Sequence, residues 1–293
     1  MSSLENKIEE VAKTVEAKLA EYLKSDDKDI AKLYEAMSYS TFGKGKRIRP
    51  FLVVAVCKML SGNIEEALTY AAAIEMVHTY SLIHDDLPCM DNDDMRRGRP
   101  TCHIVYGESR AVLAGDGLLT KAFEIIAKDE SIDAEHRIKA ISAISELSGP
   151  SGMIGGQEMD VAYENQTISY ETMVKIHTLK TVDLIKCACR LGAISASADD
   201  KTIDNLDNYA EGIGRVFQLT DDLLDVSSNE KDLGKTVHSD EKNHKTTYLS
   251  FMPAEIAMQL ADVMTEKAIN SLSDYEHRGV LCELALYLKD RKK

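Results

Sequence analysis

An all-α chain follows from three features read together. Apolar residues recur at three- and four-residue intervals, strand-like alternation is absent, and only five prolines interrupt 293 residues. No proline-rich linker or low-complexity tract divides the chain, so we expect one domain over residues 1–293 with ten or more helices. An apolar fraction of 44 % suffices for its core.

The elements follow in order. Leu4, Ile8, Val11, Val15 and Leu19 form one stripe, giving a helix over about 4–23 that a charged turn at 24–28 ends. A second helix covers about 30–38 and stops at Gly43 and Gly45. Pro50 opens a third, because a first helical turn has no use for the missing N–H. Residues 64–87 read as one long helix, Ala-rich and apolar nearly all round, which belongs in the centre of a protein or against a partner subunit. Pro88 ends it, and Gly98, Arg99 and Pro100 mark a loop. Helices follow over about 103–106, 108–128, 134–148 and 150–163. Ser169 caps a long one reaching about 197, and another spans about 203–225. A polar, charged loop covers 227–243 before helices over 248–252, 253–272 and 273–290.

A formal charge of −14 argues against general affinity for nucleic acid or an anionic membrane. An acidic ligand must then be held by local lysines, arginines or metal ions. The six cysteines, at 57, 89, 102, 187, 189 and 282, lack zinc-site spacing and read as reduced, mostly buried thiols, which suits the cytoplasm. The N-terminal stretch is acidic and amphipathic, without the apolar core of a signal peptide. No run approaches the ~20 apolar residues that span a bilayer. A soluble, cytoplasmic protein is expected.

Chemistry concentrates in two aspartate clusters. Asp85, Asp86, Asp91, Asp93 and Asp94 lie within ten residues, and Arg96 and Arg97 follow. The first two end an apolar helix, where negative charge opposes the helix dipole. Carboxylates about 4 Å apart repel by about 1 kcal/mol in water and ~4 kcal/mol at an effective dielectric of 20. A cation offsets that cost, and oxygen-only ligands select Mg²⁺ or Ca²⁺. Asp85 and Asp91 cannot share the face of a straight helix, since six residues rotate by about 600° and leave them about 120° apart. Pro88 must bend the chain for the two to join one metal cluster. The second cluster, Asp221, Asp222 and Asp225, is helical, and Asp221 and Asp225 share a face with Gln218 one turn earlier. Mg²⁺ takes one or two carboxylates and completes its shell with water and phosphate, so two such clusters suit a metal-clamped diphosphate. Lys44, Lys46, Arg47 and Arg49 crowd the turn before Pro50; Lys180 sits in a helix; Lys235 and Lys245 lie in or just past the polar loop. Basic groups beside acidic ones in so acidic a chain suggest two anion sites, one metal-bridged and one bound directly by Lys and Arg.

These residues resemble the trans-isoprenyl (polyprenyl) diphosphate synthases, most of all bacterial farnesyl-diphosphate synthase, over nearly the full chain. The resemblance rests on Gly45-Lys-Arg-Ile-Arg-Pro50, the run His78 to Pro88, the run Met90 to Gly98, Pro100-Thr-Cys-His103, Gly155-Gly-Gln157, Lys180-Thr181, the run Gln218 to Asp225 and Gly234-Lys-Thr236. It implies a single large orthogonal helical bundle around a central cavity, a homodimer, and condensation of isopentenyl diphosphate with an allylic diphosphate. It implies three Mg²⁺ per active site, held by Asp85, Asp86 and Asp91 on one wall and by Asp221 with Asp225 on the other. Arg96, Lys180, Gln218 and Lys235 would contact the allylic diphosphate, and Lys46, Arg49, His78 and Arg97 that of isopentenyl diphosphate. The allylic C–O bond would ionise, the alkene attack the cation and a proton then leave, with Thr181, Gln218 and the Lys180 region facing the cation. Two departures stand out: the family often has glycine where this chain has Val182, and Lys44 displaces a usual glycine.

Product length falls to the helix before Asp85. Tyr80 lies five positions earlier, about 7.5 Å along the axis, where its ring can floor the cavity after about three isoprene units. The family's short-chain bacterial members share an aromatic there, next to Ser81, and two extra residues, here Pro88-Cys89. A C15 product is expected. A C20 synthase with a deeper cavity is the alternative within the fold. A non-catalytic regulatory subunit would have lost aspartates or the Lys46 and Arg49 pair, and a terpene cyclase would not need the second anion site.

Overall fold

The computed structural model describes residues 3–227 and 246–291. Its helices are α1 (Ser3–Tyr22), α2 (Ala31–Thr41), α3 (Ile48–Met59), α4 (Ile64–Asp85), α5 (Cys102–Tyr106), α6 (Glu108–Lys128), α7 (Ala134–Ser148), α8 (Met153–Ala162), α9 (Tyr170–His177), α10 (Asp183–Ile194), α11 (Asp200–Ser227), α12 (Ala254–Ser271) and α13 (Gly279–Asp290). Beyond Ser227, which still belongs to α11, the polar loop lies outside the described residues.

α4 is the axis. Asn63 caps it by accepting from the N–H groups of Glu65 and Glu66, and it packs against α6, α3, α10 and α1. Its buried face is almost continuous from Glu66 to Tyr80, as an all-round apolar helix requires. Two buried carboxylates interrupt it, each with partners. Glu66 accepts from the Tyr70 hydroxyl at 2.7 Å and lies 2.8 Å from His136 Nδ1. Glu75 meets the Arg47 guanidinium at 2.5 Å.

Several boundaries differ from expectation for local reasons. α3 starts two residues before Pro50, which sits in the first turn where its missing N–H still costs nothing. The helix expected over 169–197 is three pieces, because a π turn, Thr178–Val182, separates α9 from α10. Residues 273–278 are turn rather than helix, and Tyr248–Ser250 is one 3₁₀ turn. Where a plain loop was expected, Met95–Arg96 pairs antiparallel with Arg99–Pro100. Arg97 and Gly98, at φ 54° and 75°, form that hairpin's tight turn.

Candidate active site

The end of α4 builds the first wall. A cavity of about 550 Å³ opens there, bounded by α4, α6, α8 and the π turn; Arg49, His78, Tyr80, Ser81, Asp85, Lys180 and Thr181 line it. Beyond Asp85 the chain bends as its sequence demanded. Met90 and Asn92 donate to the Leu87 carbonyl, and the Asp91 N–H returns to the Asp85 carbonyl at 2.9 Å. Pro88 and Cys89 are thus the apex of a closed loop that brings Asp91 back to Asp85.

Asp86 does not share that outlook. It lines a separate small cleft with Lys44, Arg96 and Arg97 and is buried, accepting from Arg96 Nε at 2.7 Å and lying 2.6 Å from Nη2. Burial pushes its carboxyl up against the opposing pull of Arg96. Arg96, expected on the allylic diphosphate, is engaged by the protein itself, and Asp93 lies 3.9 Å away.

The basic turn divides by role. Arg49 Nη1 approaches His78 Nε2 at 3.4 Å, and Arg49 Nε has no partner among the described residues. Burial, reinforced by Arg97, lowers the Arg49 guanidinium to about 10. Burial and then the nearby arginines hold His78 well below its ordinary value, so it is neutral and its Nε2 can accept from Arg49. Lys46 is exposed, its Nζ 5.9 Å above the Tyr287 ring. Arg47 leaves the anion-binding group. Its left-handed backbone (φ 50°) opens α3, and its buried guanidinium joins Glu75, Glu16 and the Thr41 carbonyl. The signal was present in the sequence: a lone Glu75 in an apolar run needs a buried cation.

The second wall joins the π turn to α11. Lys180 Nζ pairs with Asp160 at 2.6 Å. Thr181 Oγ1 donates to Gln218 Oε1 at 3.4 Å, and Gln218 Nε2 donates to Asp222 at 3.1 Å. The other oxygen of Asp222 accepts from the Tyr248 N–H at 2.9 Å, and the carboxylate is 2 % exposed. Half-buried Asp221 instead meets Arg291 at 2.7 Å. Lys235, Lys245 and the side chain of Asp225 lie outside the described residues. Val182 is fully buried, and Gly214 of α11 accommodates it: a methyl on that glycine would sit 3.0 Å from a Val182 methyl. Gly156 lets α8 press onto the π turn, since a methyl there would collide with the Lys180 backbone nitrogen.

Sequence reasoning missed Asp160, Arg291 and the buried role of Asp222. Asp160 lies one turn beyond Gly156, but nothing in the spacing ties it to a lysine 20 residues away. Arg291 belongs to a charged C-terminal stretch of the kind usually solvated; here its guanidinium stacks 4.0 Å from the Phe217 ring.

The oxygen donors fit Mg²⁺ in kind. Asp85, Asp91 and Asp221 offer carboxylate oxygens, the donor type that a hard cation takes. No described helix is long and apolar enough to cross a membrane.

The polyprenyl synthetase family model matches residues 30–278. A farnesyl diphosphate synthase of Geobacillus stearothermophilus is 40 % identical over 96 % of this chain and 97 % of its own length. A geranylgeranyl diphosphate synthase of Cyanophora paradoxa is 41 % identical over 88 % of this chain and 87 % of its own. The crystal structure of an FPP/GFPP synthase from Zymomonas mobilis superposes with a TM-score of 0.88 at 38 % identity, over 97 % of this chain and 98 % of that one.

Proposed function

The chain belongs to the polyprenyl synthetase family, and we propose that it condenses isopentenyl diphosphate with dimethylallyl and geranyl diphosphates to give mainly farnesyl diphosphate, C15. The observation that carries the C15 reading is Tyr80. It is 5 % exposed, forms part of the cavity wall, and stands edge-on to His84 with ring centroids 5.7 Å apart. Its hydroxyl has no partner among the described residues. An aromatic ring so close beneath Asp85 limits the hydrocarbon tail.

Asp85 and Asp91 on one wall, and Asp221 with Asp225 on the other, would hold three Mg²⁺; Asp86 contributes less directly, by fixing Arg96. Mg²⁺ when bound supplies positive charge to the departing diphosphate. Lys180, Arg96, Gln218 and Lys235 orient the allylic diphosphate, while Lys46, Arg49, neutral His78 and Arg97 hold that of isopentenyl diphosphate. Thr181 and Gln218 turn oxygen atoms toward the carbon that becomes cationic. The departed diphosphate takes the final proton.

A homodimer in the cytoplasm completes the reading. The partly exposed apolar side chains of Ile104, Val105, Val112 and Leu113 on α5 and α6 support it. Incubation with isopentenyl and dimethylallyl diphosphates and Mg²⁺, with products sized by chromatography, should yield C15. A predominant C20 product would replace the Tyr80 reading, and no condensation by folded protein would overturn the enzyme reading.

A further inference from the structure

α8 lines the cavity with Met153, Ile154, Gln157, Glu158 and Val161. Among these neighbours, apolar except for Glu158, stands a carboxamide whose Nε2 and Oε1 are both shielded from solvent, and neither finds a hydrogen-bond partner among the described residues. An unpaired buried amide is unfavourable, and a methionine of similar length would fill the same space without that cost. Gln218 offers the contrast, since its two amide poles are engaged by Thr181 and Asp222. The position of Gln157 is nonetheless firmly set. Its neighbour Gly156 is in close contact with the Lys180 backbone, and Asp160, on the same helix, holds the Lys180 ammonium.

We infer that Gln157 is a further substrate contact at the reacting end of the allylic diphosphate, its unpartnered carboxamide turning from its shielded position to present the oxygen to the carbon that gains positive charge. This inference rests on the prenyl-transfer reading. In the step concerned, the allylic C–O bond breaks and both its electrons leave with the diphosphate. The π electrons of isopentenyl diphosphate then form the new C–C bond, and a proton passes to the departed diphosphate. Gln157 exchanges neither proton nor electrons. A neutral amide can turn its negative pole to the cation without repelling the diphosphate as a carboxylate would. Its contribution arises as charge separates, so it acts on turnover more than on substrate binding.

Gln157→Met tests this. With geranyl and isopentenyl diphosphates and Mg²⁺, kcat should fall by about 10- to 100-fold while each KM moves less than about threefold. The thermal midpoint of the metal-free protein should stay level or rise, because the unpaired amide is gone. Gln157→Asn, which keeps a shortened carboxamide, should retain an intermediate rate. If the Met variant does not fold, Gln157→Leu carries the same expectation. Wild-type turnover in a folded apolar variant, or a lower midpoint with activity lost only in proportion to folded protein, would overturn the inference and leave the prenyl-transfer reading intact. Wild-type protein that makes no condensation product would overturn both.

Discussion

Asp85–Asp86 and Asp221–Asp222 are the same dipeptide set in two different supports. In each, the first aspartate is half-buried and the second is withdrawn to 2–3 % exposure. Asp86 stands at a helix end and is secured by a side chain, Arg96, reaching over from a hairpin. Asp222 stands within α11 and is secured by the Tyr248 backbone N–H and the Gln218 amide. A helix terminus offers no neighbouring turn on its far side, so the chain must fold back to supply one; a helix interior has its neighbours already. The first support thus includes a charged side chain brought in from a hairpin, and the second a side-chain amide from its own helix and a backbone N–H.

That comparison sorts the variants. Asp85→Asn and Asp221→Asn should each lower kcat by roughly 10³-fold, because they remove charge where substrate-borne charge must be balanced; Asp221→Asn should also lower the thermal midpoint, since it leaves the buried Arg291 guanidinium without its counter-charge. Asp222→Asn should lower kcat about 10-fold by presenting an N–H₂ to groups that already donate, which loosens Gln218. Should Asp222→Asn prove as severe as Asp221→Asn at unchanged stability, Asp222 would be a direct participant and the division within the pair would fail.

Asp86→Asn should be felt mainly in stability, since it leaves Arg96 without its counter-charge. Losing one partner of a fully buried pair costs about 3–5 kcal/mol. Arg96 is 31 % exposed and regains water, so about 2 kcal/mol is expected by urea denaturation. Tyr80→Ala should cost stability, as truncating a buried ring does, but leave the rate of the folded enzyme little changed and lengthen the product beyond C15 on chromatography; an unchanged product would remove Tyr80 as the floor.

The same contrast explains what could be read from sequence. Asp221 and Asp225 follow from helical period alone, as does the apolar character of α4. The bend joining Asp91 to Asp85 was also legible, because Pro88 leaves the helix no continuation. Partnerships across the fold were not. Asp86–Arg96, Lys180–Asp160, Arg47–Glu75 and Asp221–Arg291 join residues whose separation no local rule fixes, and Arg47 looked like its basic neighbours until its burial was known. The π turn was equally hidden, since nothing in Thr178–Val182 breaks the helical pattern.

That turn sets up the subtlest test, because buried groups with opposite shifts flank it. Burial, with Lys180 and Arg215 adding to it, lowers His177 from 6.5 to about 4. Burial raises Asp183 from 3.8 to about 6, with Lys186 and Arg190 only partly offsetting it. Between pH 6.5 and 4 the unfolded chain protonates His177 while the folded chain does not, so acidification costs stability. Over pH 3.8–6 the folded chain keeps the Asp183 proton while the unfolded chain loses it, so acidification restores stability. Each effect is worth about 3 kcal/mol at its limit, and between pH 4 and 6 they nearly cancel. Wild-type stability should therefore owe little pH dependence to this pair over that range. Asp183→Asn should uncover a stability that rises with pH, and His177→Gln one that falls with pH. Urea midpoints at pH 4.5 and 6.0 measure both; slopes of the same sign in the two variants would show that the groups flanking the π turn are not shifted in opposite directions.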